Sequence, residues 1–163
     1  MDADLLTWHD VAGITEALAA AVIADGVPDV VVGILRGGMV PAVLLAHHLG
    51  VRDVRALTIT HTQSDGVNAP KAERPVLANP DSVGRLDDRD VLLVDDVVGS
   101  GDTLDAARSH LVHSHPGSVR TAVCLLNLAN WPTTRGPASG DGRIATYVGR
   151  EIRRWVVFPW EQP

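Results

Sequence analysis

The chain has 163 residues, of which 45% are hydrophobic, and its formal net charge is −6. These values predict one domain, residues 1–163, with a sizeable core. The acidic balance and the lack of a basic run argue against a nucleic-acid-binding protein. The first residues carry acids but no basic segment, and no apolar run is long enough to span a bilayer. We therefore expect a cytoplasmic protein that binds neither nucleic acid nor membrane.

The N-terminal part of the chain shows a helix and then a strand, a loop and a second helix. Apolar residues recur at helical spacing after Thr7, and Gly26-Val27-Pro28 ends the pattern. Val30–Ile34 is typical of a buried strand and Met39–Leu49 of a helix. Between them lies Leu35-Arg36-Gly37-Gly38, which we call the glycine loop. The helix that precedes this unit is interpreted as structural.

A strand and a long polar segment follow. Val54–His61 alternates in the manner of a strand, and Thr62–Arg74, which we call the polar loop, has no apolar pattern. A polar stretch of that length between strands is more typical of a functional loop than of a rigid connector. Pro75–Ala78 is predicted to be the returning strand of a hairpin, and residues 79–89 a turn-rich link.

The strongest functional signal lies just past the middle of the chain. Val91–Val94 is an apolar run typical of a strand buried on both faces, and we expect this strand to end at Asp95 and Asp96, the acidic pair. Gly99–Thr103, which we call the hydroxyl loop, leads into a helix predicted over Thr103–His113. Main-chain N–H groups at a helix start, with serine and threonine hydroxyls, can bind a phosphate.

The acidic pair needs a different kind of ligand. Carboxylates beside a phosphate site repel a second anion, so Asp95 and Asp96 are expected to accept hydrogen bonds from neutral hydroxyls or to hold a divalent cation. A sugar phosphate satisfies both requirements.

The C-terminal part of the chain supplies two further predicted strands and an apolar end. Ser118–Leu126 and Arg143–Val148 are predicted strands, residues 127–142 between them are loop-like, and Trp155–Glu161 is an apolar tail containing a proline. Two strand, glycine-containing loop and helix units in one chain predict a parallel sheet, whose carboxyl edge brings both loops to one crevice.

The acidic pair and the hydroxyl loop resemble the 5-phosphoribosyl-1-diphosphate (PRPP) signature of type I phosphoribosyltransferases. A receiver domain also has paired aspartates after an apolar run, but carries them near its N-terminus. The resemblance implies that Asp95 and Asp96 hold the ribose hydroxyls and bind magnesium. It also implies that the whole hydroxyl loop binds the 5-phosphate: Gly99, Ser100, Gly101, Asp102 and Thr103. The negative Asp102 is expected to point away from that phosphate.

The glycine loop resembles the diphosphate-binding loop of bacterial and archaeal purine enzymes of this family. Arg36, Gly37 and Gly38 would bind the diphosphate, and the resemblance places a possible non-proline cis peptide at Leu35–Arg36. The polar loop corresponds to the family's flexible catalytic loop. Lys71, the only lysine of the chain, would then stabilise the leaving diphosphate together with Arg36 and magnesium, and Arg74 is a further candidate.

The apolar tail resembles the base-binding end of guanine–xanthine phosphoribosyltransferases. Trp155 would stack on a purine and the main chain of Val156 would contact its edge. Two positions depart from the pattern for 6-oxopurines. Gly99 stands where those enzymes carry an aspartate, and no lysine follows the strand that ends at Leu126, so that Asn130, Arg135 or a main-chain donor would have to substitute.

Together these features predict an α/β fold of the type I phosphoribosyltransferase kind, with a central, mainly parallel sheet flanked by helices and a small hood built from the chain ends. The implied activity is magnesium-dependent transfer of 5-phosphoribosyl from PRPP to a purine base, with a 6-oxopurine favoured, by a homo-oligomer (dimer or tetramer). The alternatives are an enzyme for adenine or a modified purine or deazapurine, and a PRPP-binding regulatory protein without catalysis.

Overall fold

A six-stranded sheet forms the centre of the computed structural model, which describes residues 3–62, 71–136 and 145–162. The sheet order is β4-β3-β2-β5-β6-β7, and only the β3–β4 pair is antiparallel among these neighbours. The predicted mainly parallel sheet is therefore confirmed. The elements in chain order are β1 (Asp4–Leu5), α1 (Trp8–Asp25), β2 (Val30–Leu35), α2 (Met39–Leu49), β3 (Val54–Thr62), β4 (Lys71–Leu77), β5 (Asp90–Val98), α3 (Asp102–Val112), β6 (Ser118–Asn127), β7 (Tyr147–Ile152) and β8 (Val156–Val157).

Alternating side chains of the central strands build a core on each face of the sheet. Val31 and Leu92 pack with α1 and α2 on one face, whereas Val32 and Leu93 pack with α3 on the other. All four are fully buried. A strand covered by helices on both faces has to be apolar at consecutive positions, which explains the unbroken runs in β2 and β5.

The first helix begins and ends as its sequence predicts. The Thr7 hydroxyl accepts a hydrogen bond from the main chain of Asp10, whose carboxylate accepts one from the main chain of Thr7, so a capping box starts α1. Gly26 ends the helix with φ +109°. None of the described helices is both long and apolar enough to cross a membrane.

Strand β5 is longer than predicted, because the acidic pair lies within it. The expected end at Asp95 and Asp96 is wrong, since β5 continues to pair with β6 as far as Val98 opposite Leu126. On its other side, β5 pairs with β2 only as far as Val94 opposite Gly33. The acidic pair therefore lies where β5 has lost one neighbour and kept the other.

Two other strand boundaries differ from the sequence prediction. Strand β4 already begins at Lys71, which pairs with Thr62, so the end of the polar loop is part of a strand. Residues 63–70 of that loop lie outside the described residues. Strand β7 runs to Ile152 opposite Asn127 instead of ending at Val148, because its register is set by pairing with β6.

The chain ends form a small two-stranded hood. Strands β1 and β8 pair in parallel, with Asp4 opposite Val156. Beyond β8, the fully buried Phe158 stacks on Trp160 with ring centroids 4.4 Å apart, and Trp160 contacts Trp8 at 5.9 Å. This aromatic cluster fixes the C-terminal segment against the start of α1. As a result, Trp155 is held beside the carboxyl edge of the sheet.

Candidate active site

A cleft of about 220 Å³ lies at the carboxyl edge of the sheet. It brings together the acidic pair's Asp95, the whole hydroxyl loop and the tail residues Trp155 and Val156. A neighbouring cleft lies between the glycine loop and the tail and is lined by Arg36, Gly37, Asp96 and Trp155, among others. Residues from distant parts of the chain thus meet at one crevice, as the parallel topology predicts.

The acidic pair is held by main-chain hydrogen bonds. Asp95 is 7% exposed, and its Oδ1 accepts a bond from the N–H of Asp96 at 3.0 Å. The N–H of Val97 donates to Asp96 Oδ1 at 2.7 Å. The two carboxyl groups also hydrogen-bond each other, and Asp96 Oδ2 lies against Gly37. The pair is therefore held in one orientation.

Burial makes the charged forms of both aspartates unfavourable. Burial raises the pKa of Asp95 well above its usual range, and the adjacent charge of Asp96 adds to this effect. Burial also raises the pKa of Asp96, to about 6, with a further contribution from the negative charge of Glu161. Acceptance of hydroxyl hydrogen bonds, or contact with a cation, would stabilise these charges.

The glycine loop packs directly on the acidic pair. A Cβ at position 37 would collide with the Asp96 carboxylate, and a Cβ at position 38 would lie 2.8 Å from the Val94 carbonyl oxygen and 2.9 Å from Asp95 Cα. Glycine is required at both positions for this close approach. The Leu35–Arg36 peptide bond is cis, as the resemblance suggested. The loop's main chain and the exposed Arg36 therefore flank Asp96.

The hydroxyl loop ends at the N-terminus of α3. Gly101 has φ +86°, a conformation that favours glycine, and the helix begins at the next residue, Asp102. The Ser100 hydroxyl donates to Asp102 Oδ2 at 2.7 Å, and Arg135 Nη2 donates to Asp102 Oδ1 at 2.6 Å. Asp102 also lines the cleft. The carboxylate of Asp102 is thus held by Ser100 and Arg135, and its orientation relative to a bound phosphate stays a prediction.

The tail presents a ring and an edge of main chain to the cleft. Trp155 is 37% exposed and lines both clefts. Strand β1 uses the carbonyl groups of Trp155 and Val157, which accept from Asp4 N–H and Leu6 N–H at 3.0 Å. Because successive carbonyl groups alternate along a strand, the main chain of Val156 faces the other way, toward the cleft. Trp155 and Val156 therefore both lie at the cleft, and their contacts with a purine stay a prediction.

The two positions that depart from the 6-oxopurine pattern lie in the same cleft. A side chain at position 99 would meet Asn130, whose Cβ lies 3.2 Å from the place of the missing Cβ. Asn127, at the end of β6, is 6% exposed, and its side chain donates to Arg154 O at 3.5 Å and accepts from Ala129 N–H at 3.0 Å. Neutral amides therefore line the region where the family's pattern for 6-oxopurines has an acid and a lysine.

Sequence reasoning missed three polar residues that line the cleft: His61, Asn127 and Glu161. His61 and Asn127 lie near the ends of parallel strands, so a search for polar residues at strand ends could have found them. Glu161 accepts a hydrogen bond from Phe158 N–H at 2.9 Å within the tail's final turn, which no sequence signal indicated.

Two predicted residues are not brought to the cleft by the described contacts. Arg135 binds Asp102 and Asp105 instead of lining the base end of the cleft. Lys71 begins β4, where its main chain pairs with Thr62, the residue after His61, and its side chain lies outside the described residues. Its predicted role stays a prediction.

Comparison with known proteins gives consistent results. Residues 3–161 match the model of the phosphoribosyl transferase domain. The chain is 30% identical over 162 residues to a Ruegeria sp. xanthine-guanine phosphoribosyltransferase. The aligned region covers 96% of this chain and 84% of that protein. It is 30% identical over 159 residues to a xanthine-guanine phosphoribosyltransferase of Gluconobacter oxydans, with 96% of this chain and 83% of that protein covered.

Solved structures support the same relationship. The crystal structure of a purine phosphoribosyltransferase from Pyrococcus horikoshii has a TM-score of 0.79 and 29% sequence identity, and the match covers 100% of this chain and 97% of that one. The predicted fold class is confirmed by this likeness and by the observed sheet. From the family match over nearly its whole length, we conclude that the chain belongs to the phosphoribosyl transferase domain family.

Proposed function

We propose that the protein transfers the 5-phosphoribosyl group of PRPP to a ring nitrogen of a purine base and releases diphosphate. The observation that carries this proposal is that Asp95, the hydroxyl loop and Trp155 line one cleft, with the glycine loop beside it. In the reaction, the bond from ribose C1 to the diphosphate oxygen breaks and a bond from C1 to the ring nitrogen forms. The proton of that nitrogen is lost from the base.

The sugar phosphate would lie between the acidic pair and α3. Asp95 and Asp96 would accept hydrogen bonds from the two ribose hydroxyls, which would replace the bond between the two carboxyl groups. The hydroxyl loop would bind the 5-phosphate at the helix N-terminus through the hydroxyls of Ser100 and Thr103 and through main-chain N–H groups, to which Gly99, Gly101 and Asp102 contribute with their main chain alone. Two separate anchors would hold the sugar so that C1 faces the tail.

The donor set of the acidic pair fits a magnesium ion. Hard divalent cations prefer carboxylate oxygens, and two adjacent, buried carboxylates are destabilised until a cation or hydroxyl groups contact them. Asp95 and Asp96 would hold the ion, which would supply positive charge against the diphosphate. Because Mg²⁺ usually binds through one or two carboxylates and substrate phosphates, the pair would need PRPP to complete the coordination.

The chain's own contribution to the chemistry is mainly electrostatic. Negative charge accumulates on the diphosphate as it leaves, and Arg36 in the glycine loop would bind it, with Lys71 from the polar loop as a second cation. Main-chain N–H groups of Gly37 and Gly38 would add neutral donors. Positive charge on the ribose ring would be favoured by the nearby acidic pair.

The base would occupy the apolar end of the cleft. Trp155 would stack on its ring, and the outward-facing main chain of Val156 would contact its edge. A 6-oxopurine is favoured, since similar proteins are named xanthine-guanine phosphoribosyltransferases. The neutral amides of Asn127 and Asn130 would then contact groups that an acid and a lysine contact in the family's pattern. Adenine and modified purines or deazapurines are the alternative acceptors.

The protein is further proposed to act in the cytoplasm as a homo-oligomer, a dimer or tetramer, with PRPP and a purine-like base as its partners. A PRPP-binding regulatory protein without catalysis is the alternative from another class. Gly99 supports that alternative, since glycine can act neither as acid nor as base.

The first test is diphosphate release from PRPP and Mg²⁺ in the presence of guanine, xanthine, hypoxanthine, adenine or a deazapurine. We expect release with at least one 6-oxopurine and little with adenine, measured by a coupled diphosphate assay and by mass of the nucleotide product. Release of diphosphate with adenine alone would show that adenine, the alternative acceptor, is the substrate. Saturable PRPP binding without diphosphate release for any base would refute the proposed enzymatic activity and favour a regulatory protein.

The buried acidic pair makes a prediction about stability and pH. The raised pKa of Asp96, about 6, means that its favourable contribution is complete below the unfolded pKa near 3.8 and is lost as pH rises through 6. Asp96→Asn, which stays neutral, should therefore stabilise the ligand-free protein at pH 8 by about 1–2 kcal/mol, or about 2–8 °C in Tm. The gain should vanish near pH 4.

Thermal unfolding from pH 4 to pH 8 in the presence of a chelator measures this difference. Asp81→Asn is the matched control, because Asp81 is exposed and remote from the cleft. A variant that is no more stable than the unmodified protein at pH 8 would contradict the proposed cost of charging Asp96.

The stacking role of Trp155 has a separate test. Trp155→Ala should raise the KM for the base by about 5- to 160-fold, because stacking on one base contributes about 1–3 kcal/mol, with a smaller effect on the KM for PRPP. Trp155→Phe is the control, since it keeps an aromatic ring at the cleft and should leave the KM for the base close to that of the unmodified protein. An unchanged base KM in Trp155→Ala would exclude stacking by Trp155.

A further inference from the structure

The hydroxyl loop contains a carboxylate that is bound from two sides. Asp102 Oδ2 accepts from the Ser100 hydroxyl at 2.7 Å, and Asp102 Oδ1 accepts from Arg135 Nη2 at 2.6 Å. Arg135 Nη1 also lies 3.6 Å from Oδ2 of Asp105, which is in the first turn of α3. One oxygen of Asp102 thus binds the Ser100 hydroxyl, and the other binds the guanidinium of Arg135 from a different segment of the chain.

This arrangement conflicts with phosphate binding unless the charge of Asp102 is cancelled. Asp102 is the first residue of α3 and lines the cleft, and its carboxylate is bound to the Ser100 hydroxyl, so its charge lies beside the helix N-terminus that a 5-phosphate would use. A dianionic phosphate and a carboxylate at one site repel each other. Among the described residues that line this cleft there is no arginine or lysine. Arg135 supplies a cation to the loop through its ion pair with Asp102.

We propose that Arg135 is a positioning residue for the 5-phosphate of PRPP, an inference that rests on the proposed function. It cancels the charge of Asp102 and holds that carboxylate through the oxygen that Ser100 does not use. The Ser100 hydroxyl can then rotate from Asp102 to the incoming phosphate while Asp102 stays bound to Arg135. The guanidinium, whose side chain is 33% exposed, does not itself contact the phosphate.

A purely structural role for Arg135 makes a different prediction. Arg135 lies in the connection between β6 and β7, so its ion pair also fastens this connection to the hydroxyl loop. If fastening were its whole role, removal of either partner would loosen the loop equally. If charge cancellation is its role, removal of Asp102 is harmless or helpful, because the charge to be cancelled is gone. The sign of the Asp102 effect separates the two roles.

The test compares Arg135→Gln, Asp102→Asn and the double variant. Dissociation constants for PRPP and for ribose 5-phosphate are measured by calorimetry with Mg²⁺, and KM values for PRPP and base by diphosphate release. Arg135→Gln should weaken binding of both phosphate ligands about tenfold, by exposing one carboxylate to a dianion, and leave the base KM nearly unchanged. Asp102→Asn should bind at least as well as the unmodified protein, and the double variant should recover to within about twofold of it.

Asp105→Asn is the matched control, because it removes the other carboxylate beside Arg135 without changing the cleft, and its affinities should stay unchanged. Unchanged PRPP affinity in Arg135→Gln would overturn the proposal. Weakening by Asp102→Asn without recovery in the double variant would also overturn it and assign a fastening role. If the unmodified protein binds neither PRPP nor ribose 5-phosphate, the proposed function fails as well, whereas equal binding by all variants refutes only the role of Arg135.

Discussion

The site depends on the place where β5 loses one of its two neighbours. Strand β5 pairs with β2 only as far as Val94, whereas its pairing with β6 continues to Val98. The resulting gap is filled by the glycine loop, which only glycines at positions 37 and 38 allow to approach the acidic pair. Because β5 keeps its rigid ladder with β6, the carboxylates are held in an extended strand and not in a mobile turn.

This rigidity has a cost in the free protein. Burial holds two neighbouring carboxylates in positions that raise the pKa of both, so the ligand-free site is destabilised at neutral pH. A cation and sugar hydroxyls would remove that destabilisation when they bind. The hydroxyl loop differs, because Arg135 already offsets the charge of Asp102 in the free protein. The acidic pair is therefore the part of the site that a ligand has to complete electrostatically.

Local sequence patterns predicted the order of the elements and the main loops well, because buried strands and helix caps depend on residues that are close together in the sequence. They could not predict where ladders end, because pairing of β5 with β6 and of β7 with β6 depends on partners about 30 residues away. The Asp102–Arg135 pair spans 33 residues and was missed for the same reason. Gly99 was recognised as a departure and Asn130 as a possible substitute, but only the packing shows that Asn130 lies against position 99.

The claim that this crevice binds a phosphoribosyl group is tested most directly by calorimetric titration with PRPP and Mg²⁺, independently of any base. The unmodified protein should bind with a saturable heat, and Asp95→Asn combined with Asp96→Asn should weaken binding by at least about 100-fold, because two charge-assisted contacts to the ribose hydroxyls are lost. Unchanged PRPP affinity in the double variant would contradict the assignment of the acidic pair to the sugar.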